Sequence, residues 1–275
     1  MGRKVRAGLL YGLAGGQLLV FDTTLKQRVA TVDLGGTTTD LDLSPDGSLL
    51  VGAQDRDNRL VVVDKALWTV SYVSTRADPQ QVEIMNGGIA YYATLDQWSE
   101  VHRVDLAWGK AADIKLNLYS SYEPDLELSP SGERLFVGES ALSPSTLYDL
   151  DLTVAPTRTL DASNGFESSA RHLYLGPSGK HIYYAGYQLD ATNLSHVMGK
   201  VGTVFAEDAA ATFAVSSLGL VDAELLTLVT PFAHGVQTAA LVRADSEVWY
   251  CDTTSGRLVW ASVAELLAGK TLGVR

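Results

Sequence analysis

Four stretches of the chain repeat one phrase: DLDLSPDG (40–47), QVEIMNGG (81–88), DLELSPSG (125–132) and RHLYLGPSG (171–179). Each is a short alternating run that stops at a Gly-containing turn. Pro presets φ for the second turn position and Gly accepts the positive φ that follows, so Ser-Pro-Asp-Gly and Ser-Pro-Ser-Gly fold the chain back on itself. An Asp that closes an apolar run is a second marker, in LLVFD (Asp22), LVVVD (Asp64), VHRVD (Asp105), TLYD (Asp149) and VWYCD (Asp252). The first four are separated by 42, 41 and 44 residues, and the last gap, of 103, is expected to hold one further, degenerate unit. The two markers keep a spacing of 21 residues, from Leu43 to Asp64, Ile84 to Asp105 and Leu128 to Asp149.

Between the markers, SLLVGAQ, IAYYATL, RLFVGES and HIYYAGYQL are apolar or alternating runs bounded by Gly, Asp, Asn and Ser, so each unit reads as four strands. Four-stranded units recurring at about 40–50 residues predict an all-β chain, a single β-propeller domain over 1–275. Six blades are counted, and the irregular stretch 190–235 has room for a seventh. The first unit starts at its second strand, RAGLLYGLAG, and the chain ends in LLAGKTLGVR. The C-terminal segment is therefore expected to supply the first blade's inner strand and close the ring.

The unit LSPDGSLLVGAQDRDNRLVVVD (43–64) resembles the repeats of bacterial YVTN-type propellers, which are related to surface-layer and lactonase-like propellers. The resemblance covers about two thirds of the chain, by extent of the repeat. It implies a propeller, and it brings in two functions: binding, or lactonase-like hydrolysis with a channel cation. Many such relatives have seven blades, a departure from the count of six. The Asn ligands usual in six-bladed metal lactonases are also absent. An extracytoplasmic location, periplasmic or secreted, is compatible with the resemblance.

The strand before each Pro/Gly turn is expected to be the innermost of its blade. Aligned on the turn, one layer holds Asp42, Glu83, Glu127 and Tyr174, and a second holds Asp40, Gln81, Asp125 and His172. Alternation puts both layers on one strand face, with Leu41, Val82, Leu126 and Leu173 on the other. The looser match DAEL (222–225) adds Asp222 and Glu224. Two readings stay open. The acids are solvated or bonded to the backbone of neighbouring blades, or they converge on the channel and bind Ca²⁺ or another divalent ion, which takes six to eight oxygen ligands.

The remaining candidates are weaker. AQDRDNRL (53–60) has Asp55, Asp57 and Asn58 in partial calcium-loop spacing without the Gly and distal Glu such a loop needs. His102, His181, His196 and His234 are scattered, and Ser143 lacks a nucleophile-elbow context. Trp98 and Tyr187, in equivalent second-to-third-strand regions, are candidate aromatics of a recognition face.

Composition excludes some functions. The net charge of −11 disfavours binding to a phosphate backbone, and a single cysteine, Cys251, precludes an internal disulfide. The start MGRKVRAGLLYGLAGG has the basic opening of a secretory signal, but its apolar part is broken by Gly12, Gly15 and Gly16 and runs into strand-like sequence. No run approaches the roughly 18 apolar residues of a membrane span. The sequence thus favours a non-catalytic binding or scaffold propeller for a protein, peptide or glycan. The alternative is a divalent-cation-dependent lactonase-like hydrolase using Asp42, Glu83 and Glu127 with His172 or a carboxylate moving protons.

Overall fold

A computed structural model describes residues 3–6, 8–94, 98–107, 114–119, 124–139, 144–155, 157–166, 172–232, 235–242, 244–252 and 257–268. Ser143, His234 and the segment 269–275 lie outside them. The chain folds into seven consecutive antiparallel sheets, the blades of a seven-bladed β-propeller. Contacts divide it into two units, one dominated by residues 10–171 and the other by 172–275.

The first unit carries four sheets, except that Val5–Leu9 of the first sheet group with the second unit, and each sheet is ordered as its strands occur in sequence. They are β1 (Arg3–Arg6), β2 (Leu9–Ala14), β3 (Gln17–Asp22) and β4 (Gln27–Asp33); β5 (Asp40–Leu43), β6 (Leu49–Gln54), β7 (Arg59–Asp64) and β8 (Thr69–Ser74); β9 (Pro79–Ile84), β10 (Ile89–Thr94), β11 (Glu100–Asp105) and β12 (Ile114–Tyr119); and β13 (Asp125–Leu128), β14 (Arg134–Gly138), β15 (Ser145–Asp151) and β16 (Arg158–Phe166). The second unit has β17 (Leu173–Leu175), β18 (His181–Tyr184), β19 (Tyr187–Asp190) and β20 (Asn193–Lys200); β21 (Val204–Glu207), β22 (Phe213–Ser216), β23 (Gly219–Asp222) and β24 (Thr227–Pro231); and β25 (Val236–Val242), β26 (Glu247–Asp252) and β27 (Leu258–Ser262), followed by the short helix α1 (Val263–Leu267).

Second and third strands are buried on both faces, which is why β6 and β7 read as near-continuous apolar runs, while the fourth strand β8 is mostly exposed. The core accordingly lies between successive sheets. Val51, Leu60 and Val62 pack on Val82, Ala90 and Tyr92, and Tyr91 and Val101 pack on Leu126, Leu135 and Val137. In the second unit Val215 and Leu220 pack on Val248 and Tyr250.

Two expectations need correction. β1 already occupies the strand position beside β2 expected of the C-terminal segment, and residues 269–275 of that segment lie outside the described residues; α1, before them, packs on β24 and β27, with Thr230 Oγ1 donating to the Leu266 carbonyl. The count of six becomes seven because the gap before Asp252 holds two units. Their markers are Asp190 and Asp222, close together because strands of four residues are joined by very short turns.

In the marker turns a carboxylate Oδ1 accepts the N–H two or three residues on. Asp22 takes Thr24 and Leu25, Asp64 takes Ala66 and Leu67, Asp190 takes Thr192, and Asp222 takes Glu224 and Leu225. In the fourth sheet this residue is Asp151, which accepts from Thr153 N at 2.9 Å. Asp149 is not the marker: it is buried and ion-paired with Arg134.

Three first-to-second-strand turns share one hydrogen bond: Gly47 N to Ser44 O, Gly132 N to Ser129 O and Gly179 N to Gly176 O, with φ of 73°, 73° and 69°. The sixth sheet makes the same bond from Ala211 N to Asp208 O, with Ala211 at φ 58°. A Cβ in that region costs about 1–2 kcal/mol. Ala211→Gly should therefore stabilise the fold by about 0.5 kcal/mol after the larger backbone entropy of Gly in the unfolded chain is subtracted. Urea unfolding checks this, and a loss of stability would show that Ala211 is not strained.

Candidate functional site

The first strand of a sheet has one side paired with the second strand and one side bare. Just past β9 the N–H of Met85 bonds Ile89 O on β10, so by alternation the N–H groups of Ile84 and Val82 face the bare side. An edge N–H away from water needs an acceptor, and an ionised carboxylate is acceptor-only.

The acidic layers supply it. Asp42 Oδ2 accepts Ile84 N at 2.7 Å, Asp40 Oδ2 accepts Val82 N at 3.0 Å, and Glu83 Oε2 accepts Leu128 N at 3.2 Å. Each carboxylate thus fastens the first strand of its own sheet to that of the next. Gln81, with its amide oriented as the surrounding acceptors require, donates to Asp40 Oδ2 at 3.0 Å and Asp125 Oδ1 at 3.2 Å, bridging sheets two and four. Asp125 also accepts Leu126 N, and Thr39 Oγ1 donates to Gln80 O across the same junction. Asp42 and Glu83 are buried; Asp40, Asp125 and Glu127 are partly buried.

In the second unit the same layer position is Tyr174, and its phenol oxygen accepts Glu207 N at 3.1 Å. Glu207 was not singled out in the sequence. A register shift between Val204 and Ala206 displaces it by one residue from the acids of the other sheets, although its place just before a turn was a readable signal. Its side chain is fully buried, and Oε1 lies 2.6 Å from both His181 Nδ1 and the Tyr183 hydroxyl, which donates to it. Burial, reinforced by the Glu207 carboxylate, pushes the Tyr183 phenol far above its ordinary pKa, so it stays a neutral donor. Oε2 packs against Gly176, where a Cβ would stand only 1.8 Å away, which explains the Gly in Leu-Gly-Pro-Ser-Gly. This His–Glu–Tyr cluster ties β18 to β21.

The other candidates separate. Asp222 and Glu224 are not on a first strand: Asp222 ends β23 and Glu224 lies in the turn it fastens, so they leave the acidic layer. His172 lies before β17 with its ring 5.5 Å from Phe205. Of the AQDRDNRL residues, Asp57 is engaged by the Arg59 guanidinium, which also bonds Gln54 Oε1 and Gly35 O and lies 4.1 Å from the Tyr72 ring centroid. His102 stacks on Tyr92 at 4.8 Å, and His196 is exposed. Trp98 is exposed, whereas Tyr187 lies under Lys200 Nζ at 5.0 Å. Among the described residues no group of three or more His, Cys, Asp or Glu is placed to hold a metal ion, and no helix is long and apolar enough to cross a membrane.

No family model matches the chain, and no curated protein matches it. Solved structures do. Hydrazine synthase of Kuenenia stuttgartiensis superposes with a TM-score of 0.72 at 15% identity, covering 94% of this chain and 93% of that one. A protein of unknown function from Desulfotomaculum acetoxidans gives 0.73 at 12%, over 98% and 95% of the two chains. The β-propeller domain of Myceliophteria thermophila Cps50 (Swd1) gives 0.74 at 14%, over 93% and 94%. The likeness is one of fold. Identities this low carry the propeller architecture and leave activity to the site itself.

If the carboxylates are staples, Asp42→Ala leaves the buried Ile84 N–H without its acceptor and should cost about 2–3 kcal/mol in urea unfolding. Asp42→Asn, which keeps an acceptor oxygen, should cost less. A loss for Asp42→Ala no larger than the roughly 0.5 kcal/mol of a surface substitution would overturn the assignment.

Proposed function

We propose that the chain is a single non-catalytic binding propeller whose turns and loops are presented to a protein or peptide partner. The observation that carries this reading is a set of exposed leucines at one repeated place. Leu25, Leu67 and Leu225 are 61%, 71% and 69% exposed, and each stands three residues after an Asp whose carboxylate fastens its turn. An apolar tip held by a rigid turn loses little entropy on docking. Aliphatic tips suit protein partners, whereas a glycan platform relies on aromatic faces, and of the two aromatics singled out only Trp98 is well exposed. Another structure of similar fold, with a TM-score of 0.66 and 12% identity, is a chain of the Mitotic Checkpoint Complex. The turn-and-strand phrase of residues 43–64 supports kinship with YVTN-type repeats.

The cation-dependent hydrolase reading is the weaker one, since Asp42 and Glu83 direct oxygens at edge N–H groups. Photo-crosslinkers placed at Leu25 and Leu67 test the binding reading by identifying a partner whose affinity is then measured. Leu25→Ser and Leu67→Ser together should weaken that partner by at least roughly tenfold, about 1.4 kcal/mol. Unchanged affinity would overturn the assignment of these tips. A saturable thermal shift with Ca²⁺, Mg²⁺, Mn²⁺ or Zn²⁺ that vanishes in Asp42→Asn would favour the hydrolase instead.

A further inference from the structure

We propose that Asn86–Gly87 is a self-reacting modification site, at which the folded chain converts the Asn86 side-chain amide to an acid. Both residues sit exposed in the turn between β9 and β10. Gly87 has φ 83°, and as a residue without Cβ it puts no side chain of its own beside its nitrogen. Among the described residues no acceptor takes the Gly87 N–H. The electrophile carries a donor: Asn86 Oδ1 accepts the main-chain N–H of Asp46, in the turn between β5 and β6, at 2.9 Å. A donor fixed on that oxygen stabilises the negative charge it develops when Cγ is attacked.

The Gly87 nitrogen attacks Asn86 Cγ. The N–Cγ bond forms, the Cγ–Nδ2 bond breaks, and Nδ2 leaves as ammonia with the proton lost from Gly87, closing a cyclic imide. Water then opens the imide, at Cγ to give aspartate or at the Asn86 main-chain carbonyl carbon to give isoaspartate. No oxidant or reductant is needed. Either product adds a negative charge beside Asp46, whose carboxylate already holds Ser44 Oγ, Ser48 N and Ser48 Oγ. Isoaspartate also lengthens the backbone by one carbon and shifts the contact that links the second and third sheets.

The chain contains an internal comparison. Asn164–Gly165 is also exposed, but it lies within β16, paired to β15 with Asn164 opposite Thr146. Gly165 itself is bulged at a register shift, with φ 95°, but Asn164 stays in register with Thr146, so closing the imide there requires pulling Asn164 out of the ladder. Folded protein and urea-unfolded protein are held side by side at mildly alkaline pH. Site-resolved mass spectrometry and isoaspartyl methyltransferase labelling then follow both sites. In the folded protein Asn86 should react at least roughly tenfold faster than Asn164, a barrier difference of about 1.4 kcal/mol. In the unfolded chain the two rates should converge. Asn86→Gln, which keeps an amide acceptor for Asp46 N but must close a larger ring, should lose the product at 86 with an unchanged circular dichroism spectrum. Folded-state rates within tenfold of each other, or an Asn86 slower folded than unfolded, would overturn the proposal.

Discussion

The bare edge of each sheet's first strand is the constraint on which the rest depends. A strand with a neighbour on one side exposes every second N–H on the other, and successive first strands, as in β5, β9 and β13, lie side by side without a backbone ladder between them. Side chains bridge the gap. Asp40, Asp42 and Glu83 do so as carboxylates, Gln81 as an amide between two acids, and Tyr174 as a phenol oxygen. Hydrogen bonds to an ionised acceptor contribute about 1.5–3 kcal/mol each, roughly twice a neutral one, which gives a physical reason for acids at these positions.

Much of the acidity then has a structural account. Asp22, Asp64, Asp105, Asp151, Asp190 and Asp222 fasten turns, the first-strand acids fasten sheets, and Asp149 neutralises Arg134. These acids are thus engaged in local acceptor roles within the 32 carboxylates of a chain of net charge −11. Three of these anchored turns also leave a leucine in solvent, Leu25, Leu67 and Leu225, beside exposed polar neighbours such as Thr24 and Glu224.

The fold was legible where local chemistry repeats. Ser-Pro-Asp-Gly marks a turn wherever it stands, and the spacing of 42 and 41 residues between Asp22, Asp64 and Asp105 is the length of one four-stranded sheet. It became illegible where the same geometry is built from other residues. Ala211 takes the turn conformation that Gly takes elsewhere, and the register shift beside Ala206 moves Glu207 out of alignment, so the sixth sheet was misread and Asp222 was assigned to the wrong strand. Asp149 was mistaken for Asp151 because both end a short apolar phrase, and only the partners, Arg134 for one and Thr153 for the other, tell them apart.

By itself the sequence determined the unit, its four strands and turns, and the place of the acids on one face of the first strand, because turn preference and alternation act over a few residues. Tertiary structure decided the number of sheets, the strand beside β2 and the hydrogen-bond partners of the acids. Those depend on which groups meet across sheets some forty residues apart. For DLDLSPDG the outcome is definite: Asp40 and Asp42 are acceptors for Val82 and Ile84, a pairing that no local pattern encodes.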